Sequence, residues 1–160
     1  MQKIHIISIG HLKEKYLKDA SAEYEKRLSA FCKLKITELD PARLPDSPND
    51  AEINSALNFE AEKIMSQIPK DAFVVPMCIE GEQFASQALA QKISDVAVRG
   101  TSTICFIIGG SYGLHDNVKR LASLKLSMSK MTFPHQLARI MLLEQIYRSF
   151  KILQGGTYHK

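Results

Sequence analysis

Long apolar runs, paired cysteines and internal repeats are what this 160-residue sequence lacks. No window approaches the roughly 20 consecutive apolar residues needed to span a bilayer, so it offers no candidate for a membrane-spanning helix. Its start, Met1-Gln2-Lys3-Ile4-His5, alternates like a strand instead of opening a signal peptide, and the expected location is the cytoplasm. Cys32, Cys78 and Cys105 form no CxxC pair, and the last two lie inside apolar runs. That pattern argues against a disulfide framework or a zinc site and for small hydrophobes in a reduced interior; no metal is expected. With neither repeats nor low-complexity tracts, residues 1–160 are expected to form a single domain.

Acidic residues are scarce in one region. Residues 1–124 carry 15 Lys/Arg and 16 Asp/Glu, whereas residues 125–160 carry 6 Lys/Arg against Glu144 alone. The net charge of +4 is therefore concentrated near the C-terminus, where it can draw a polyanion such as RNA, although solvated lysines produce the same count.

Hydrophobic periodicity alternates between strand and helix. Ile4, Ile6, Ile7 and Ile9 make a β-branched run ended by Gly10. Tyr16 or Leu17, then Ala20, Tyr24 and Leu28, recur at helical spacing within Lys13 to Ser29, and a second strand follows at Lys33 to Leu39. Pro41, Pro45 and Pro48 make Asp40 to Asp50 a surface loop. Ile53, Leu57, Ala61, Ile64 and Ile68 form a helical stripe stopped at Pro69. Phe73 to Ile79 reads as a strand in which Pro76 suggests an edge position or a local break in the ladder. Ala85, Leu89, Ile93 and Val96 mark a third helix, and Ile104 to Ile108 an uninterrupted apolar strand of the kind buried on both faces. A short helix at Asp116 to Ala122, a short strand at Lys125 to Ser129 and a helix from His135 to Leu153 complete the order. Strict β-α alternation predicts a three-layer α/β domain with a mainly parallel sheet and a ligand crevice at the carboxyl ends of its strands. The last helix is apolar nearly all round, which predicts cover from a second subunit and so a homodimer; a central helix in a monomer core is the alternative.

Three segments could carry chemistry. Strand Ile104 to Ile108 runs into Gly109-Gly110-Ser111-Tyr112-Gly113-Leu114, where missing Cβ atoms allow a ligand to approach the backbone, although a tight turn without a ligand has the same composition. Leu126 to His135 is a strand-to-helix corner whose hydroxyls, thioethers and ring suit a purine-like ligand, or is an ordinary loop. The tail Gln154 to Lys160 ends in an aromatic ring, an imidazole and an amine, the groups that stacking, proton transfer and phosphate contact require. Arg139, Glu144, Gln145 and Arg148 add polar groups on the last helix, with Glu144 and Arg148 spaced to pair with each other.

The whole chain resembles the ribosomal RNA large subunit methyltransferase H family, a minimal branch of the SPOUT class. The likeness is most specific at Ile108 to Leu114, Leu126 to Arg139, Glu144-Gln145-Ile146-Tyr147-Arg148 and Tyr158-His159-Lys160. It implies methyl transfer from S-adenosylmethionine to N3 of a pseudouridine in large-subunit ribosomal RNA within the assembled ribosome, by a homodimer. It also implies a C-terminal trefoil knot. The cofactor is then expected against Met77, Gly109, Gly110, Met128, Ser129, Lys130, Met131, Thr132 and Phe133. This chain has Met77-Cys78 where many relatives have leucine before an acidic residue. His159 is the candidate base, and Arg139, Arg148 and Tyr158 complete the catalytic set; His135, Glu144, Gln145 and Lys160 are expected to contact the substrate. Two other readings compete: a noncatalytic ribosome-binding protein, which would need no cofactor cleft, and a nucleotide-dependent oxidoreductase. The latter should carry a glycine motif after its first strand, which Gly10-His11-Leu12 is not.

Overall fold

Strands and helices alternate throughout the computed structural model, which describes residues 1–155. The elements are β1 (Lys3–Ile9), α1 (Lys15–Leu28), β2 (Lys33–Leu39), α2 (Asp50–Gln67), β3 (Phe73–Gln83), α3 (Ser86–Val98), β4 (Thr103–Ile108), α4 (Asp116–Lys119), β5 (Leu126–Ser127) and α5 (His135–Leu153). The strands form one sheet in the order β2-β1-β4-β3-β5, with every pairing parallel.

Parallel strands joined by crossover helices are covered on both faces, which explains the unbroken apolar runs of β1 and β4. Ile4, Ile6, Ile104 and Phe106 point to the face where α3 and α5 contribute Leu89, Ile93, Leu142, Leu143 and Ile146. Ile7, Ile9, Cys105 and Ile107 point the other way, toward Ala61 and Ile64 of α2 and Val118 of α4. The core is thus two layers separated by the sheet. All three cysteines are buried free thiols, and burial pushes Cys32 up to about 11 and Cys105 up to about 12.

Helix boundaries follow local chemistry where it exists. Asn49 accepts a hydrogen bond from the Glu52 amide at 2.8 Å while Glu52 accepts from the Asn49 amide at 3.2 Å, so α2 starts at the end of the proline-rich loop. At Pro134, before α5, there is no side-chain cap.

Pro76 does not mark an edge, because β3 lies between β4 and β5. The Val74 amide donates to Ser123 Oγ at 3.1 Å, and its carbonyl accepts from the amides of Ser123 and Leu124. Pro76, two residues on, faces the same way, so its missing N–H falls outside the β4 ladder. β3 also runs past the expected Ile79 to Gln83, because Glu82 and Gln83 pair with Leu126 and Ser127 after a register shift. Gly81 permits this crossing: a Cβ there would lie 2.8–2.9 Å from backbone atoms of Lys125 and Leu126.

Candidate active site

Neighbouring strands bring the expected cofactor segments to one end of the sheet. Pro76 pairs with Ile107, which puts Met77 level with Ile108 and the glycines that follow it, and Met77 itself pairs with Leu126 of β5. Gly109-Gly110 and the segment 128–134, at the carboxyl ends of β4 and β5 where parallel sheets bind ligands, are thereby brought beside Met77, the residue of β3 just past its pairing with β4.

Two of the glycines are demanded by the turn itself. A Cβ on Gly109 would sit 2.3 Å from the Gly113 carbonyl oxygen and 3.1 Å from Leu114, so the chain itself fills the space that the sequence reading left to a ligand. Gly110 and Gly113 form an isolated bridge, and Gly113 has φ +82, a conformation that side chains with a Cβ disfavour. The turn thus requires Gly109 and Gly113 whether or not a ligand is bound.

Hydroxyls shape the segment after β5. Ser127 Oγ donates to the Ser129 carbonyl at 3.0 Å, and the Met131 amide donates to Ser129 Oγ at 3.0 Å. Met77, Met128, Ser129 and Phe133 are partly buried, whereas Lys130, Met131 and Thr132 are exposed. This donor set fits S-adenosylmethionine: backbone groups and hydroxyls can meet its adenosine and amino-acid ends, and thioethers and a ring can cover its apolar faces.

Beyond the crevice, α5 sorts its polar residues onto different sides. His135 lies beside Gly10, whose Cβ position would be 3.5 Å from His135 Nε2, and Gln136 Oε1 accepts from the Lys13 amide at 2.9 Å. Burial, then the nearby Lys13 charge, lowers the His135 pKa. Arg139 is only 6% exposed and pairs with Glu38 at the end of β2, Nη1 to Oε2 at 2.7 Å. Arg148 pairs with Glu144 at 2.7 Å, as their spacing of one helical turn allows. Gln145 accepts from Ser86 Oγ at 2.8 Å and donates to Glu144 at 3.0 Å. His11 and Glu38, which the sequence did not single out, complete a cluster: His11 Nε2 is 2.7 Å from Asp40 and Nδ1 3.4 Å from Glu38. A lone histidine after a strand-ending glycine was the available signal.

Tyr158, His159 and Lys160 lie outside the described residues. Among the described residues there is no group of three or more metal-ligating side chains, and no helix is long and apolar enough to cross a membrane. A cleft of about 840 Å³ lies elsewhere, between the loop after β2 and α2, where Pro41, Leu44, Ala56 and Phe59 line it.

Residues 2–159 match the family model described as "Predicted SPOUT methyltransferase". The chain is 51% identical over 158 residues to the ribosomal RNA large subunit methyltransferase H of Streptococcus suis, covering 99% of each chain. It is 50% identical over 157 residues to the protein of that name from Clostridium acetobutylicum, covering 98% of this chain and 99% of the other. In fold it is similar to the crystal structure of tRNA (m1G37) methyltransferase from Aquifex aeolicus, with a TM-score of 0.54 and 14% identity over 92% of this chain and 69% of that one. The chain therefore belongs to the SPOUT methyltransferases, for which S-adenosylmethionine is the methyl donor, and within them to the ribosomal RNA large subunit methyltransferase H family.

Proposed function

We propose that this protein methylates N3 of a pseudouridine in large-subunit ribosomal RNA, acting in the cytoplasm on the assembled ribosome as a homodimer. The observation that carries the reading is half-identity over nearly full length to relatives named for that RNA, together with the meeting of Met77, Gly109-Gly110 and the segment after β5 on adjacent strands. Residues 1–160 act as one domain, and the C-terminal segment is proposed to form the trefoil knot of its family.

The proposed cofactor contacts are Met77, Gly109, Gly110 and Met128 to Phe133. Bound S-adenosylmethionine supplies an electrophilic methyl group on a sulfonium centre, without a metal. The protein's task is alignment, together with removal of the N3 proton or stabilisation of the anion left behind. His159 is the proposed base; Tyr158 and Lys160 lie beside it in sequence. His135, Glu144 and Gln145 are proposed to meet the RNA, and Arg139 and Arg148 to supply positive charge.

Geometry adds a condition. Nine residues of helix separate Arg139 from Arg148 by roughly 13 Å and about half a turn in azimuth. They cannot serve one substrate atom from a single α5, but two copies of the chain could present one arginine each. Leu137, 40% exposed on the same helix, suits a buried contact between copies.

The test is a map of methylated nucleotides in ribosomal RNA from a strain lacking the gene. Loss of one methylated pseudouridine, restored by the purified protein with S-adenosylmethionine and ribosomes, is the expected result. An unchanged map would overturn the reading.

A further inference from the structure

The start of α5 must be placed accurately, because the segment 128–134 leads directly into it, yet Pro134 gives it no side-chain cap and its first turn holds no acidic residue. Its position instead depends on ties to the ends of β1 and β2. His135 packs beside Gly10, which takes φ +96; Gln136 binds the Lys13 amide; and Arg139, in the second turn, pairs with Glu38.

The last of these ties holds the most charge. Arg139 is nearly fully buried, and its Nε has no hydrogen-bond partner. Glu38 compensates the guanidinium, and removing one partner of such a pair is far more disruptive than the pair is stabilising. Glu38 is in turn held from outside by His11, which bridges it to Asp40.

We propose that Glu38 and His11 are positioning residues for the cofactor: by fixing Arg139 they lock the start of α5, and so present the segment 128–134 to the crevice. The inference rests on the reading that this segment binds S-adenosylmethionine. Glu38 and His11 act at a distance, through Arg139 and the helix, and touch neither cofactor nor RNA.

Protonation of His11 should modulate the lock. Facing it are Glu38 on β2 and Asp40 in the loop that follows; Arg139 on α5 meets the other oxygen of Glu38, Lys63 of α2 acts on Asp40, and Lys13 lies beside His135. Within the hydrogen-bonded cluster Arg139 alone cannot balance two carboxylates, and a protonated His11 makes those charges equal. The hydrogen bond to Asp40, then that to Glu38, raises the His11 pKa above its ordinary value. Burial works to raise the Glu38 pKa, but the Arg139 and His11 contacts outweigh it and hold the carboxyl low. As pH rises through the raised His11 value, the bridge loses its charge and the lock loosens.

Calorimetric titration of the full-length protein with S-adenosylmethionine, at about pH 6 and about pH 9, tests this, with hydrogen exchange at residues 128–134 as a second readout. Glu38→Gln should weaken the affinity by roughly two- to thirty-fold and speed exchange in that segment. His11→Gln should flatten the pH dependence that the unaltered protein shows. If Glu38→Gln fails to fold, Asp40→Asn removes the outer anchor of His11, leaves the Arg139 pair intact and should also reduce the pH dependence. Unchanged affinity in the folded variants at both pH values, with only the melting temperature lowered, would overturn the inference alone. Absence of binding by the unaltered protein would overturn the cofactor reading and this inference with it.

Discussion

Arg139 and Arg148 share one helix but face opposite ways, the first buried against Glu38 of β2 and the second paired with Glu144 of α5 itself. The two pairs differ in kind. The Arg148 pair joins neighbours one turn apart on one helix. The Arg139 pair spans 101 residues of chain and fastens α5 to the sheet edge. Substitution of Arg148 should therefore leave the fold intact, whereas loss of Arg139 leaves Glu38 without its main partner.

Arg148→Ala should reduce methyl transfer to ribosomes by at least about ten-fold, with a smaller loss of thermal stability than Arg139→Ala causes. Single-turnover assays alongside melting curves separate the two effects. A normal rate would remove Arg148 from the proposed site.

Gly109→Val forces a Cβ onto the Gly113 carbonyl, so the turn itself should be damaged. The expected cost is about 1–3 kcal/mol of stability, with loss of S-adenosylmethionine binding as its companion. A variant that keeps full stability but loses the cofactor would show that the ligand, and not the turn, demands this glycine.

Leu137→Glu places a charge on an apolar, 40% exposed position of α5. Sedimentation at micromolar concentration should show the unaltered chain as a dimer and this variant as a monomer with weak activity. An active, stable monomer of the unaltered chain would remove the partner from the site.

Deleting Tyr158, His159 and Lys160 should preserve S-adenosylmethionine affinity and abolish most methyl transfer, because the proposed cofactor contacts all precede the tail. Within it, His159→Ala should lower turnover, and Lys160→Ala should mainly reduce the salt dependence of ribosome binding. Normal turnover by the truncated protein would return the catalytic assignment to Arg139 and Arg148.

The contribution of His5 and His135 to stability should fall as pH drops below about 6.5. Burial, then a nearby lysine, depresses the folded pKa of both His5 and His135. The unfolded chain therefore binds these protons first, and the contribution present above the unfolded value is lost as pH falls toward the folded ones. Denaturant titrations at stepped pH should show this slope, and His135→Gln should reduce it; an identical slope in that variant would assign the effect elsewhere.

Alternating apolar runs, with periods matched to strand and helix, were enough for the sequence to specify a parallel α/β sheet covered on both faces, and the signature segments were enough to indicate the methyltransferase family. These features are local or one-dimensional, and the physics that reads them acts over a few residues. Strand order, and with it the level meeting of Met77, Ile108 and Leu126, was decided only in three dimensions, as were the crossing at Gly81, the reason for Gly109 and the burial of Arg139 against Glu38. Each of these depends on which distant backbone or charge arrives beside a residue. A glycine that makes room for a ligand and one that makes room for its own chain read alike in sequence, as do an arginine waiting for a phosphate and one already neutralised by a carboxylate.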